Sequence, residues 1–283
     1  MNDSSSSQFL NKVLPLIINI QNKTVVIKYG GSAMQDKRLT QQVIQNIALL
    51  IQLGIKVVVV HGGGPLINYW LEKFQMKAKF HNGLRVTDPE TMQIVEMVLV
   101  GKVNKNLVAL LNNHKCQAIG VSGQDANLII ADPLDTFSND RVGKVKTVNI
   151  DLITSLLKNQ YTPVIAPLAC DSRGISYNIN ADIVAGEIAG SIAADVLIML
   201  TDTPGILSHQ NDVSSLINCL TVNQVFQLID DKTIQGGMLP KVHSCIQALS
   251  CGTRTARIID GRIPDSILKA LFLDQCSGTS IIS

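Results

Sequence analysis

Val57-Val58-Val59-Val60-His61-Gly62-Gly63-Gly64-Pro65 is the stretch that decides the fold. Four successive valines read as a buried strand, and Leu66, Ile67, Trp70, Leu71 and Phe74 read as the apolar face of a following helix. Pro65 suits the first helical turn, where its missing N–H costs nothing. The glycines between strand and helix expose backbone N–H groups without side chains in the way. Together with the helix dipole they favour an anion. A second stretch, Thr24-Val25-Val26-Ile27-Lys28-Tyr29-Gly30-Gly31-Ser32, repeats the theme: a strand runs into a glycine pair with a lysine at its end. Two anion loops, one carrying a cation, point to two anionic partners meeting.

The chain has 283 residues, 46% hydrophobic and 16% charged, so it can build a sizeable core as one large domain or two lobes. Aromatics are only 4%, which leaves the core to Ile, Leu and Val and favours a buried parallel sheet. Net charge is +2 with no run of Lys and Arg, so neither nucleic acid nor a membrane surface is expected as a partner. No apolar run approaches ~18 residues, and no transmembrane helix is expected. The six cysteines form no C-x-x-C pair, and no histidine spacing suits a metal; free thiols in a reduced compartment are expected. The N-terminus has neither a secretory nor a transit signature.

Strand and helix patterns alternate almost throughout. Helices are expected at 39–53, from Asp88-Pro89-Glu90 to about Asn112, at 151–157, 182–194, 222–229, 239–250 and 264–272. Strands are expected at 25–28, 57–60, 117–121, 162–166, 196–200 and 255–259. Residues 128–149 read instead as short antiparallel pieces at an edge or over a cleft. The whole reads as an α/β sandwich on a mainly parallel sheet, with ligands at the carboxyl ends of strands.

The dinucleotide fingerprint, the P-loop and the nucleophile elbow are all absent. Lys28 and Lys241 stand out because each adjoins glycines at an element end, Lys241 following Gly236-Gly237-Met238-Leu239-Pro240. Two ammonium groups approaching from opposite sides suit phosphoryl transfer, in which the protein positions the reactants and stabilises charge. In Asn178-Ile179-Asn180-Ala181-Asp182, either Asn180 or Asp182 can cap a helix, and Asp182 can instead hold two lysines in place. Arg85, in Asn82-Gly83-Leu84-Arg85-Val86-Thr87, is either a surface ion pair or a fork for a substrate carboxylate. The five histidines do not cluster, and none is assigned a catalytic role.

Taken together these stretches, with Leu200-Thr201-Asp202-Thr203-Pro204-Gly205-Ile206-Leu207 and Ile258-Ile259-Asp260-Gly261-Arg262, resemble the amino-acid kinase family. They span nearly the whole chain in family order. The lysine–Gly-Gly start is general to the family, whereas N-G-L-R-V-T and G-G-M-x-P-K are specific to the branch acting on N-acetyl-L-glutamate. The resemblance implies a three-layer αβα sandwich on a mainly parallel open sheet, as a single domain over 1–283. Within it lie an N-terminal extension at 1–20, an acyl-amino-acid-binding lobe at about 21–193 and a nucleotide-binding lobe at about 194–283. It implies phosphorylation of the N-acetyl-L-glutamate side-chain carboxylate by ATP, the second step of arginine biosynthesis through acetylated intermediates. Lys28 and Lys241 would stabilise the transition state and Asp182 would orient them. Gly63 and Gly64 would contact substrate and γ-phosphate, and Arg85 and Asn178 would hold the α-carboxylate. Nucleotide would lie against Gly30, Gly31, Asp202, Thr203, Gly205, Ile206, Leu207, Gly236, Gly237 and Met238, with Mg²⁺ on its phosphates and no protein metal site. Kinases of aspartate, glutamate or UMP, and a catalytically silent amino-acid sensor on the same fold, are the alternatives.

Phe9, Leu10, Val13, Leu14, Ile17 and Ile18 fall at helical spacing ahead of the first strand, with Pro15 interrupting them. The resemblance implies that such a helix links three dimers into a hexamer. It also implies arginine as an effector and the PII signalling protein as a partner in photosynthetic lineages. Arg257 and Ala270 stand where the arginine-inhibited subgroup has a histidine and a glutamate, so a weakened arginine response is expected. Composition and the absent leader suit a soluble plastid-encoded protein in the stroma, or otherwise a bacterial cytoplasmic one.

Overall fold

The computed structural model describes residues 11, 14–81, 83–135, 139–210, 212–273 and 277–283. In chain order the elements are α1 (described over 14–20), β1 (Thr24–Tyr29), α2 (Lys37–Gln52), β2 (Lys56–His61), α3 (Gly64–Lys73), β3 (Phe80–His81) and β4 (Leu84–Arg85). Then come α4 (Pro89–Glu96), a π-helical stretch (Met97–Asn104), α5 (Lys105–Asn113), β5 (Ala118–Ser122), β6 (Ile129–Pro133) and β7 (Gly143–Val148). They are followed by α6 (Ile150–Lys158), β8 (Thr162–Ala166), β9 (Leu168–Cys170), β10 (Ser176–Asn178), α7 (Ala181–Ser191) and β11 (Val196–Thr201). The chain closes with β12 (Cys219–Thr221), α8 (Val222–Asp230), α9 (Met238–Ser250), β13 (Thr255–Asp260), α10 (Ser266–Phe272) and β14 (Thr279–Ile282).

The main sheet runs β12-β14-β13-β11-β1-β2-β8-β5. Its pairs from β13 to β5 are parallel, and β14 enters antiparallel to β13. Side chains alternate across it. Val25, Ile27 and Tyr29 of β1, with Val57 and Val59 of β2, bury one face against α2, α3, the π-helical stretch, α5 and α10. Val26, Val58 and Val60 bury the other against α6, α7, α8 and α9. The period of two along a strand produces this split, and full burial of both faces explains the uninterrupted valine run. A four-stranded sheet, β10-β9-β6-β7, covers the cleft side, so the antiparallel pieces at 128–149 are in place. No helix among the described residues is long and apolar enough to cross a membrane.

The strands β9, β10, β12 and β14 and the β3–β4 hairpin escape the sequence reading because each is only two to four residues long. Three boundaries move for backbone reasons. Ala193 turns to φ +46 and stops α7 at Ser191; Gln117, at φ +44, delays β5 to Ala118. Asp265, at φ +58, holds α10 off until Ser266 although Pro264 signals an earlier start. The helix from Asp88 runs on as expected, but through eight residues of π-helix that no spacing announced.

Candidate active site

The glycine loops meet at the carboxyl ends of β1 and β2. There, helices on opposite faces of the sheet leave a crevice, as open parallel sheets do. A cavity of about 250 Å³ lies between them, lined by Lys28, Gly30, Gly31, Gly62, Gly63, Gly64, Arg85, Asn178 and Asp182. Alternation sends Lys28 to the α7–α9 face. Its Nζ lies 2.9 Å from Asp182 Oδ1 as an ion pair, and Lys241 Nζ donates to Asp182 Oδ2 at 2.9 Å. Asn180 is the cap of α7, accepting from the Asp182 N–H at 2.7 Å, so the Asp182 carboxylate is left to the lysines. Burial raises the Asp182 carboxyl, but attraction and hydrogen bonding from Lys28 and Lys241 outweigh it and hold the group below the usual carboxylate range.

Arg85 sits opposite. It is buried, and burial pushes its guanidinium down from the ordinary arginine value. Nη2 donates to Asn68 Oδ1 at 2.6 Å and to the Gly64 carbonyl at 3.2 Å, while buried Nη1 has no partner. Phe80, its cross-strand neighbour in the β3–β4 hairpin, stacks 4.8 Å from Arg85 Cζ. No carboxylate among the described residues pairs with Arg85, so the surface ion pair is not what the structure forms. A buried cation without an anion is costly, and this one faces the cavity. Asn178 Nδ2 reaches Thr87 Oγ1 at 3.3 Å, and Thr87 Oγ1 donates to the Arg85 carbonyl at 2.9 Å. Asn82 of the same motif lies outside the described residues.

Asp202 accepts from the Ser32 N–H at 2.9 Å and from Ser32 Oγ at 2.7 Å. That contact needs glycine at 31: φ is +74, and a Cβ would stand 2.6 Å from an Asp202 oxygen. Thr203, Gly205, Ile206, Leu207, Gly236, Gly237 and Met238 do not line the cavity. Gly237 is tied to it through its carbonyl, 3.3 Å from Lys241 Nζ, and open space surrounds Gly236 and Gly237. The Ile206 N–H is already committed to Thr279 Oγ1 at 2.8 Å.

Sequence reasoning missed Asn68. The signal was present: Asn68 is four residues after Gly64, one helical turn along α3, which places its amide beside the Gly64 carbonyl where Arg85 enters. It also gave no task to His61, which is fully buried beneath the glycine loop. Burial pushes its imidazole down to about 4, against a smaller upward pull from a hydrogen bond to the Gly62 carbonyl. The sign follows from proton uptake. The unfolded chain binds a proton near pH 6.5 and the folded chain does not until about pH 4. Stability is therefore full above pH 6.5 and falls as pH drops towards 4. The expected loss from this group is about 3 kcal/mol, since each tenfold difference in proton affinity between the folded and unfolded chain is worth about 1.36 kcal/mol. Urea unfolding from pH 7 to 4 on wild type and His61→Asn checks it: the variant loses this part of the slope, and identical slopes would contradict it.

The sequence pattern of the amino acid kinase family matches residues 23–260. Acetylglutamate kinase of Prochlorococcus marinus (strain NATL1A) is 49% identical over 280 residues, covering 99% of this chain and 92% of that protein. Acetylglutamate kinase of Gracilaria tenuistipitata var. liui is 47% identical over 283 residues, covering 100% and 99%. Among solved structures, N-acetylglutamate synthase from Neisseria gonorrhoeae superposes at TM-score 0.86 with 22% identity. It matches 98% of this chain, which spans 63% of that protein's length. Carbamate kinase from Giardia lamblia bound to AMP-PNP superposes at 0.72 with 19% identity, over 93% and 99%. These two share the fold. With the family pattern over most of its length and near-half identity to whole relatives, the chain belongs to the amino acid kinase family.

Proposed function

We propose that the chain transfers the γ-phosphoryl group of ATP to the side-chain carboxylate of N-acetyl-L-glutamate, giving the acyl phosphate and ADP in arginine biosynthesis. What carries the reading is the Lys28–Asp182–Lys241 array, with Lys28 and Asp182 buried, beside a cavity that also holds the Arg85 guanidinium, whose Nη1 has no partner. The relatives named acetylglutamate kinase support the same assignment. The acceptor carboxylate is ionised at neutral pH, its ordinary pKa being about 4.3, so no general base is required. Its oxygen attacks the γ-phosphorus, the bond to the β,γ-bridging oxygen breaks, and ADP leaves with the electron pair. Bringing two anions together is the difficulty. Lys28 and Lys241 offset the charge on the transferring group, and Asp182 keeps both ammonium groups pointed at it. The Gly63 and Gly64 amides receive substrate and γ-phosphate, and Arg85 with Asn178 receives the α-carboxylate. Nucleotide occupies the side of Gly30, Gly31 and Asp202, extending over Thr203 to Leu207 and Gly236 to Met238. Mg²⁺, held mainly by the ATP phosphates, would supply further neutralisation there. The lobe at about 21–193 then binds the acyl amino acid and that at about 194–283 the nucleotide.

Hydroxylamine trapping tests the chemistry: an acyl phosphate yields a hydroxamate of N-acetylglutamate, and its absence during ADP release would contradict carboxylate phosphorylation. Arg85→Lys is expected to raise KM for N-acetylglutamate by roughly 10- to 100-fold, with KM for ATP little moved, because an ammonium cannot fork onto a carboxylate. Equal rises in both constants would make Arg85 structural.

The exposed face of α1 supports the proposed hexamer. Leu14 and Ile18 of α1 are exposed and Ile17 half-buried in the single chain; Phe9, Leu10 and Val13 lie outside the described residues. An apolar helix face of this kind needs a partner, which in a hexamer is the helix of a neighbouring dimer. Light scattering on the full chain and on a chain starting at Gln21 tests this: equal masses would rule out a linking helix. PII remains a proposed partner and arginine a proposed effector of weakened effect. Arg257 Nη1 donates to the carbonyl of Ala270, so these two positions already bond each other and leave no anionic side chain there for a cationic effector. Inhibition by arginine at micromolar concentration would contradict that expectation. The proposed location is the plastid stroma or a bacterial cytoplasm.

A further inference from the structure

His61 lies under the glycine loop, fully buried at the end of β2, in contact with two polar neighbours. Nδ1 is 2.9 Å from the Gly62 carbonyl and Nε2 is 3.2 Å from Asn104 Nδ2. The orientation of the Asn104 amide is not free. Its nitrogen also faces the Val164 carbonyl at 2.8 Å and the Val121 carbonyl at 3.3 Å, from β8 and β5. Carbonyls only accept, so the Asn104 amide presents N–H to this site. An amide nitrogen cannot accept, so Nε2 carries no proton towards it; the neutral ring carries its proton on Nδ1, and Nδ1 donates to the Gly62 carbonyl.

Covalent geometry carries this choice into the loop. In a planar trans peptide the carbonyl and the following N–H point in opposite directions. Anchoring the Gly62 carbonyl downward on the imidazole turns the Gly63 N–H upward, to the cavity that Gly63 lines. The Gly62 N–H is spent on the Tyr29 carbonyl at 2.8 Å, and the Gly63 carbonyl accepts from Ile67 at 3.0 Å. The Gly62 N–H and the Gly62 and Gly63 carbonyls are thus held by the chain itself, which leaves the Gly63 and Gly64 amides to ligand. The π-helical stretch supplies the floor. A Cβ on Gly63 would stand 2.5 Å from Leu99 and 3.3 Å from Val103, and Asn104 closes the same stretch. The wider π turn brings Leu99 and Val103 under Gly63 and Asn104 under His61 together, a use of π-helix often found at functional sites.

We propose that Asn104 and His61 form a positioning relay that fixes the imidazole tautomer and so aims the Gly63 N–H at the anion in the cavity. The relay rests on the reading of Gly63 as a phosphate and substrate contact. His61 touches no substrate and is a positioning residue. Losing one aimed donor of this kind costs ~100-fold in kcat, and misaiming it costs ~10- to 100-fold.

Two measurements test it. The first needs no substrate. With ¹⁵N-labelled histidine in the full chain, the His61 ring should be protonated on Nδ1, and Asn104→Leu should shift it towards a mixture of tautomers. A ring protonated on Nε2 in wild type would overturn the proposal, whatever the reaction proves to be. The second is kinetic. His61→Phe keeps the ring volume but removes both nitrogens; it should lower kcat by ~10-fold or more with KM for ATP within about threefold. His61→Asn restores an amide N–H near the Nδ1 position and should recover most of the rate. Equal rates in the two variants, high or low, would assign the imidazole to packing alone. Wild type inactive on N-acetylglutamate while the Nδ1 tautomer is present would fault the substrate reading and not the relay.

Discussion

Lys28→Ala and Lys241→Ala are each expected to lower kcat by ~100-fold or more, while the KM values for ATP and N-acetylglutamate move less than about threefold. In the proposed mechanism the ammonium groups face charge that grows on the transferring group, so their attraction strengthens on the way to the transition state. Ground-state binding has other proposed donors: glycine amides for the phosphates and Arg85 for the acyl amino acid. Their removal should also act as a unit. Both lysines share one carboxylate, 2.9 Å from each, so the double variant should lose less than the product of the single losses. Steady-state kinetics at saturating substrates checks this. A single variant within a few-fold of wild-type kcat would remove that lysine from the mechanism.

Asp182→Asn is expected to cost ~100-fold in kcat and about 3 kcal/mol of stability. The residue is buried and nearly isosteric with asparagine, so packing stays and charge goes. Buried Lys28 and half-buried Lys241 then share a site with no counter-ion. The lower end of the usual range for an uncompensated buried charge is taken, because Lys28 lines the cavity and the Lys241 side chain is partly exposed, so both regain some water. The acid limb should change too. The folded Asp182 carboxyl lies below its unfolded value, so its contribution is present above about pH 4 and fades as pH falls through the folded value. Urea unfolding at pH 7 and kinetics on the same sample separate the two effects. A variant that is as stable as wild type, with unchanged kcat, would contradict the organising role.

Much of this was legible in the sequence because local signals agreed. The valine run, the glycine loop and Pro65 place β2 and α3, and the same logic places β1 beside them. Lys28, Asp182 and Lys241 could be singled out as chemistry, since a lysine at a glycine-flanked strand end has few structural reasons to be there. Their convergence on one carboxylate could only be proposed, because 59 residues separate Asp182 from Lys241 and no local rule spans that gap. The Arg85 question, surface pair or fork, stayed open because exposure is a tertiary property. The β3–β4 hairpin brings Phe80 against the guanidinium and α3 brings Asn68, two elements far enough apart in sequence that no local pattern links them. His61 and Asn104 escaped for a related reason. Their hydrogen bond depends on a π-helical stretch whose sequence, Met97-Val98-Leu99-Val100-Gly101-Lys102-Val103-Asn104, reads as ordinary helix. Short strands such as β9 and β10 carry too few residues for a period of two to show.

Everything proposed for the cavity depends on the identity of the acceptor. Coupled ADP release at saturating Mg-ATP, measured in parallel with N-acetyl-L-glutamate, L-glutamate, L-aspartate and UMP, tests it directly. Steady turnover is expected with N-acetyl-L-glutamate and rates at least ~100-fold lower with the other three, since a site built to hold a group rejects analogues lacking it. Comparable or faster turnover with glutamate, aspartate or UMP, or no turnover with any of the four, would contradict it.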